Sequence, residues 1–304
     1  MELGCRPPLE TDILYQMTRS YSLSRRQNFV CLGAFVAAVF WMSACGQDSG
    51  TSGSPSADLD PDIPPYTDGA WYRPATSASW QWQLSGDVNT AYGVEIYDID
   101  LFDAPPATIE TLHAAGRKVF CYFSAGSSED WRSDYDQLLA SSIGSAYADW
   151  DGENWLDIRA QNVLEVMLAR LDLAVDKGCD GVEPDNVDGF ENVTGFELGA
   201  SQQLAFNRRL ANEAHARGLS VALKNDGRQV GDLIEYFDLA VVESCHESDE
   251  CADYEAFIAA GKPVLNAEYS GDPILVCPLA LARNFRTLFL PLDLDDSSRI
   301  SCDP

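Results

Sequence analysis

Two acidic positions at the ends of apolar runs offer the clearest chemistry in this sequence. Gly178-Cys-Asp-Gly-Val-Glu-Pro-Asp-Asn-Val-Asp-Gly189 places Glu183, Asp185 and Asp188 within six positions, after the apolar Val182. Asp238-Leu-Ala-Val-Val-Glu243 is a second apolar run that ends in an acid. Two carboxylates on separate strands suit glycosidic-bond cleavage, in which one attacks or activates water and the other delivers a proton. Those roles need different proton affinities, set by burial and neighbouring charge. Lys224, on the strand between, is a natural counter-ion for Glu183 or Asp185, and a nearby cation lowers a carboxylate's pKa, as suits a nucleophile. Glu243 follows a more apolar run, where desolvation is expected to raise its pKa, as suits an acid. A strand-end acid can equally be a salt-bridge partner, a role that fits Glu183, Asp188 and Asp226 better than Asp185 or Glu243.

Other polar side chains recur where apolar runs stop. They are Asp98 and Asp100, Tyr122 and Ser124, Asp157 and Arg159, Asn186, Lys224 and Asn225, and Glu268 with Tyr269. One such residue is ordinary, but repetition describes a polar bowl at one end of a sheet, with about half of the groups satisfying one another. Trp82 and Trp131 lie near these ends and are expected to stack on sugar rings. Trp80 and Trp82 alternate as in a strand, so either can instead be core.

The elements that must position these residues alternate between strand and helix. Strands are expected at 93–99, 118–123, 155–158, within 178–189, and at 219–225, 239–243, 263–269 and 287–290. Helices are expected over 106–115, 160–177, 200–217, 230–236, 253–260 and 279–285, several closed by Gly116, Gly178, Gly218 or Gly261. Eight strands mostly followed by helices predict an α/β fold, a single (β/α)8 TIM barrel over residues 76–304. Such barrels carry their chemistry at the C-terminal ends of the strands, where the acids fall.

Composition narrows the partners. The chain has 304 residues and a formal charge of -28, from 48 acids against 20 Lys and Arg. That surface repels nucleic acid and anionic lipid headgroups and attracts a cationic ligand. No glycine-rich phosphate loop occurs, and three histidines do not suit a His-rich metal site, so neither cofactor nor metal is expected. Arg19, Arg25 and Arg26 precede an apolar run from Phe29 to Ala44, which reads as an export signal over residues 1–45, with Met17 as an alternative start. Met42-Ser43-Ala44-Cys45 resembles a bacterial lipoprotein signal, with Cys45 as the lipidated residue and the only membrane attachment. A flexible linker is expected over 46–75. The mature protein is expected in the cell envelope or secreted, as a monomer. Outside the signal, Cys245 and Cys251 are close enough to staple a loop, and Cys277 and Cys302 could tie down the C-terminus. Cys121 and Cys179 sit in apolar contexts and read as buried free thiols.

Six motifs in order carry a resemblance. They are Trp80-Gln-Trp-Gln-Leu-Ser-Gly86, Lys118-Val-Phe-Cys-Tyr-Phe-Ser-Ala-Gly126, Trp155-Leu-Asp-Ile-Arg159, the acidic stretch 178–189, Leu223-Lys-Asn-Asp226 and Glu268-Tyr269. Together they resemble glycoside hydrolase family 114, the endo-α-1,4-polygalactosaminidases, over about residues 75–295. The resemblance implies a (β/α)8 barrel that hydrolyses α-1,4-linked galactosamine polymers with retention. It implies Asp185 as nucleophile and Glu243 as acid/base, on the fourth and sixth strands. Val242 and Ser244 depart from the family's Asn and Gln around that acid. An α-glycosidase for another amino sugar or galactoside, or a non-catalytic polysaccharide-binding barrel, are the competing expectations.

Overall fold

A computed structural model of the chain describes residues 56–148 and 150–303. The expected signal, its Cys45 and the start of the linker lie outside the described residues. The strands are β1 (Trp80–Gln83), β2 (Ile96–Asp100), β3 (Lys118–Ser124), β4 (Ser127–Glu129), β5 (Ile143–Ala146) and β6 (Glu153–Leu156). They continue with β7 (Gly181–Asp185), β8 (Ser220–Lys224), β9 (Leu239–Glu243), β10 (Val264–Glu268), β11 (Arg286–Phe289) and β12 (Ile300–Ser301). The α-helices are α1 (Pro106–Ala114), α2 (Gln161–Lys177), α3 (Ala200–Ala216), α4 (Val230–Leu233), α5 (Cys245–Ser248), α6 (Glu255–Ala259) and α7 (Pro273–Ala282).

The main sheet has the order β1-β2-β3-β7-β8-β9-β10-β11-β12. Every pairing from β1 to β11 is parallel, and only β12 runs antiparallel, against β11. This is an α/β fold built on a curled, mostly parallel sheet with helices, a TIM-like arrangement. Two of the expected strands need correction. The sheet begins with Trp80–Gln83, paired from Trp80 opposite Ile96, and not with the segment near Gly93. The expected strand at 155–158 is β6, which belongs to a separate antiparallel sheet of order β4-β6-β5. A parallel neighbour of β3 needs a helical crossover. Between β3 and β6 the described residues form only short 3-10 turns and hairpin strands, so β6 folds back locally. The last helix also starts earlier than the sequence suggests, because Asp272 accepts the Ile274 amide at 2.9 Å and Pro273 opens the first turn.

Side-chain alternation divides the core in two. Trp80, Trp82, Ile96, Phe120, Ala222, Leu239, Val241, Leu265, Ala267 and Leu288 pack together inside the curl. Tyr97, Ile99, Val119, Cys121, Val182, Leu223, Ala240 and Val242 pack outward with the helices. The apolar stripe of α2 (Val163, Val166, Met167, Leu171, Ala174) meets that outer layer. Gly178 ends α2 in the left-handed conformation at φ 87°, which lets the Cys179 amide reach the Ala174 carbonyl at 2.9 Å.

Among the described residues three disulfides form. Cys245–Cys251 and Cys277–Cys302 join as expected. Cys121 and Cys179 are not free thiols: they are bonded to each other across 58 residues, with Cα atoms 6.0 Å apart. Their proximity comes from the pairing of β3 with β7, where Cys121 lies opposite Val182. A closed loop of that length removes about 4 kcal/mol of denatured-chain entropy, against about 2 kcal/mol for the six-residue loop. Cys121→Ser with Cys179→Ser is therefore expected to cost more stability than Cys245→Ser with Cys251→Ser. Urea unfolding of the two double variants checks the ranking, and equal losses would contradict it.

The expected linker runs to residue 75, but the chain from Ser56 onward is strapped to the domain. The Ala57 amide donates to the Arg159 carbonyl at 2.6 Å, the Tyr66 amide to Asn212 at 2.7 Å, and the Trp71 indole to Asp238 at 2.9 Å. Trp71 also stacks on His215 with ring centroids 4.0 Å apart.

Candidate active site

The inward stripes of the parallel strands end in the polar residues singled out above. Leu239 and Val241 continue to Glu243, Ala222 to Lys224, Phe120 to Tyr122 and Ser124, and Ile96 to Asp98 and Asp100. Glu183 and Asp185 share that face of β7, because Val182 faces the helices. The same rule removes Glu268 from the bowl. It has the opposite parity to the inward Leu265 and Ala267, and its Oε1 accepts the His246 amide at 2.9 Å and the Asn266 amide at 3.0 Å. Tyr269 has the inward parity, and its hydroxyl donates to Glu243.

Lys224 is the hub. It is 2 % exposed, and its ammonium lies 3.0 Å from Asp185 Oδ2, 3.1 Å from Glu243 Oε2 and 3.5 Å from Glu183 Oε1. Burial works against its charge, but Asp185, Glu243 and Glu183 more than offset it and hold its pKa well above the usual lysine value. The two oxygens at 3.0 Å and 3.1 Å cannot be further apart than the sum of those distances, about 6.1 Å. Asp98 and Glu183 lie fully buried below. Burial raises both pKa values, and the charge of Asp98 adds to the rise at Glu183.

Glu243 corrects one expectation. Burial does push its pKa up, but Lys224, the Tyr269 hydroxyl and the Asn225 amide outweigh that and hold it below the ordinary carboxylate range.

The backbone is turned sharply at each of these strand tips. Asn186, Asn225 and Ser244 directly follow β7, β8 and β9, and all adopt left-handed conformations, with φ of 60°, 49° and 51°. At Asn186 the turn lets the amide donate to its neighbour Asp185 Oδ1 at 2.7 Å, while the side chain donates to Ser124 Oγ at 2.8 Å. Gly126 permits this packing, because a Cβ there would lie 1.7 Å from the Asn186 carbonyl oxygen.

A cleft opens over these residues. Asp100, Tyr122, Trp131, Asp185, Asn186, Lys224, Asn225 and Glu243 line it, as the sequence suggested. Asp98, Ser124, Glu183 and Glu268 are buried and do not line it. Trp82 is also buried, with Lys224 4.9 Å above its ring, so it supports the ammonium and offers no sugar platform. Asp157 and Arg159 pair with each other at 2.7 Å away from the cleft.

Sequence reasoning missed Glu129, Tyr147, Trp150, Glu153 and Asp293 on the walls. Trp131 and Trp150 are 52 % and 44 % exposed, and an aromatic beside Asp and Gly in a long loop was the available signal for Trp150. Arg132 is held by Asp100 at 2.6 Å and Glu129 at 2.7 Å. Eight acids and two bases line the cleft, and both bases are already ion-paired, so its field favours a cation.

The model of glycoside-hydrolase family GH114 matches residues 63–304. The chain belongs to that family. As a GH114 member it is a glycoside hydrolase. Its structure is similar to the crystal structure of Aspergillus fumigatus Ega3 in complex with galactosamine, with 42% sequence identity, TM-score 0.74, and coverage of 78% of this chain and 99% of that one. The fold is also that of the glycoside hydrolase domain of PelA from Pseudomonas aeruginosa, at 16% identity and TM-score 0.59, covering 73% and 98% of the two chains. An uncharacterized protein of Deinococcus radiodurans is 24% identical over 279 residues, 79% of this chain and 89% of the relative.

The buried acids of this GH114 site predict an unusual pH dependence of stability. Burial is the main cause in each case: it pushes Glu153 to about 7, Asp188 to about 6 and Asp226 to about 8, while neighbouring acids add to the rise. Each binds its proton more tightly folded than unfolded. Their contribution is therefore fully present below the ordinary carboxyl pKa and is lost as pH rises through the raised values. His246, lowered by burial, opposes them at the acid end. The protein is expected to be more stable near pH 5.5 than near pH 8.5, by more than about 1 kcal/mol. Urea midpoints at the two pH values check this, and a higher midpoint at the alkaline value would refute it.

Proposed function

We propose that this protein is an endo-acting hydrolase of α-1,4-linked galactosamine polymers that works with retention, with Asp185 as nucleophile and Glu243 as acid/base. The observation that carries the reading is Lys224 bridging both carboxylates in an acidic cleft with exposed tryptophans. Retaining enzymes hold their carboxyls about 5–5.5 Å apart, and the contact both carboxylates share with Lys224 is compatible with that spacing.

The bridge also has a use in the reaction. The first step needs Asp185 charged and Glu243 protonated, so Glu243, an anion in the empty site, takes up a proton from solvent before it. Asp185 then attacks the anomeric carbon, the glycosidic bond breaks, and Glu243 protonates the leaving oxygen. Asp185 is now a neutral ester and Glu243 a carboxylate. One negative charge has moved from one neighbour of Lys224 to the other, so the ammonium stabilises the site in both states. The contacts of Tyr269 and Asn225 to Glu243 favour its carboxylate form, which is the base that activates water in the second step.

The galactosamine bound to Ega3 supports the choice of sugar. An amino sugar without its acetyl group is a cation, which the acidic walls favour. The eight parallel strands read as a closed barrel, whose seam between β1 and β11 is bridged by the Trp80 indole donating to the Arg286 carbonyl at 2.8 Å. Three disulfides support an exported protein. Lipidation at Cys45 completes this reading and rests on the sequence of residues 42–45. The test is a reducing-end assay on de-N-acetylated α-1,4-galactosamine polymer, with the fully N-acetylated polymer as control. Release of oligosaccharides from the first is expected. Cleavage of the acetylated polymer alone would point to another α-glycosidase, and tight binding without cleavage to a carbohydrate-binding role.

A further inference from the structure

The short antiparallel sheet brings a third cleft carboxyl to the strand tip that carries Asp185. Between β4 and β6, Glu129 lies opposite Glu153 and Ser127 opposite Trp155. Glu153 therefore stands diagonal to Ser127, within side-chain reach. Its Oε2 accepts the Ser127 hydroxyl at 2.7 Å. Glu153 lies on the cleft wall, 8 % exposed, and has no part in the bond-making steps of Asp185 and Glu243.

From Ser127 a chain of hydrogen bonds leads to Asp185. Ser127 Oγ lies 2.6 Å from Ser124 Oγ. The Asn186 side-chain nitrogen lies 2.8 Å from Ser124 Oγ and 3.2 Å from Ser127 Oγ. The Asn186 backbone amide donates to Asp185 Oδ1 at 2.7 Å, while Lys224 holds Oδ2 at 3.0 Å. Both serines are fully buried.

The chain has one consistent direction, because a hydroxyl has a single proton to give. Ser127 gives its proton to Glu153, so Ser124 gives its own to Ser127. Ser124 also accepts the Ser127 backbone amide at 3.1 Å. Both hydroxyl oxygens are then acceptors toward Asn186, and only the NH2 edge of its side chain satisfies them. An acceptor at position 153 thus fixes which way the Asn186 side chain turns. That matters because Asn186 is held at φ 60°, a sparsely populated conformation that persists only where its surroundings impose it. The same turn grips the nucleophile's own backbone, since the Asp185 carbonyl accepts the Ala125 amide at 2.8 Å and the Gly126 amide at 3.1 Å. With its side chain released, Asn186 can relax, and its amide moves off Asp185 Oδ1.

We propose that Glu153 is a positioning residue for the nucleophile, acting through Ser127 and Ser124 on Asn186, whose backbone amide aims the Asp185 carboxylate. The inference rests on the hydrolase reading above. The role needs an acceptor oxygen and not a charge. Burial and the nearby Glu129 and Asp185 raise the pKa of Glu153 to about 7, and its protonated form still accepts from Ser127 when the proton sits on the other oxygen.

Three variants test this. Ser127→Ala and Glu153→Ala are expected to lower kcat on de-N-acetylated α-1,4-galactosamine polymer by on the order of ten- to a hundredfold, as a slightly misplaced nucleophile does, with KM little changed. Glu153→Gln, whose amide oxygen still accepts from Ser127, is expected to recover most of that loss. The backbone amide resonance of Asn186 reports the same contact without turnover. A short bond to a carboxylate should place it far downfield in wild type and in Glu153→Gln, and it should move upfield in Ser127→Ala and Glu153→Ala. Ser127→Ala removes one hydroxyl and keeps the test open should Glu153→Ala fail to fold. A resonance that does not move in Ser127→Ala, or an unchanged kcat there, overturns the positioning role. Glu153→Gln as slow as Glu153→Ala overturns it too, and gives the charge of Glu153 a direct part in the reaction. An inactive wild type whose resonance responds as stated overturns the hydrolase reading alone.

Discussion

Asp185→Asn is expected to lower kcat/KM on galactosamine polymer by on the order of 10^4-fold or more while leaving the fold intact, as loss of a covalent nucleophile does. The amide has the shape of the carboxylate, and its oxygen can still accept the Asn186 amide that now donates at 2.7 Å. Lys224 keeps Glu243 at 3.1 Å and Glu183 at 3.5 Å, so its charge is not left unpaired. What is lost is the electron pair that forms the bond to the anomeric carbon. Added azide separates the two carboxylate roles. With Asp185→Gly it should attack from the vacated side and give a product of inverted configuration. With Glu243→Gly it should intercept the glycosyl-enzyme and give a retained product. The reverse pattern would exchange the assignments, and an Asp185→Asn variant of wild-type activity would remove Asp185 from the reaction.

Lys224→Met is expected to affect both stability and chemistry. Removing one partner of a buried ion pair costs about 3–5 kcal/mol, because the remaining charge has no solvent to turn to. Here the remaining charges are Asp185 and Glu243, above the buried carboxyls of Asp98 and Glu183, whose pKa values burial already raises. Proton uptake relieves part of that cost, so the loss should be larger near pH 8 than near pH 5. Without the ammonium, the pKa of Glu243 should rise from its depressed value, and the residual activity should extend further into alkali. Urea unfolding at both pH values and the pH–rate profile check the two parts. A variant as stable as wild type would mean that Lys224 is not the counter-ion of the site.

Much of the site is legible in the sequence because strand alternation has a period of two. Val182 facing outward forces Glu183 and Asp185 inward, and Leu239 and Val241 do the same for Glu243. The same rule, applied to Leu265 and Ala267, turns Glu268 away from the cleft, so its place outside the bowl is also legible in the alternation alone. Asp185 and Glu243 do fall on the fourth and sixth parallel strands, but through two errors that offset each other. The expected strands omit Trp80–Gln83 from the sheet and count the segment near Trp155 in it. Four buried residues in Trp-Gln-Trp-Gln, with Gln81 at 0 % exposure, do not look like a strand covered on both faces. The absence of a helix between Phe123 and Trp155 is the warning that β6 cannot be a parallel neighbour of β3.

By itself the sequence determined the α/β alternation, the two carboxylates and the lysine between them, because these depend on local periodicity and on residue type at strand ends. Only the tertiary structure decided which charges meet. The depressed pKa of Glu243, the burial of Trp82 beneath Lys224, the bond between Cys121 and Cys179 and the Glu129–Glu153 wall all join residues far apart in the chain. Burial and Coulomb interactions depend on distance in space, and strand pairing sets that distance. Sequence spacing therefore carried the elements of the site but not its electrostatics.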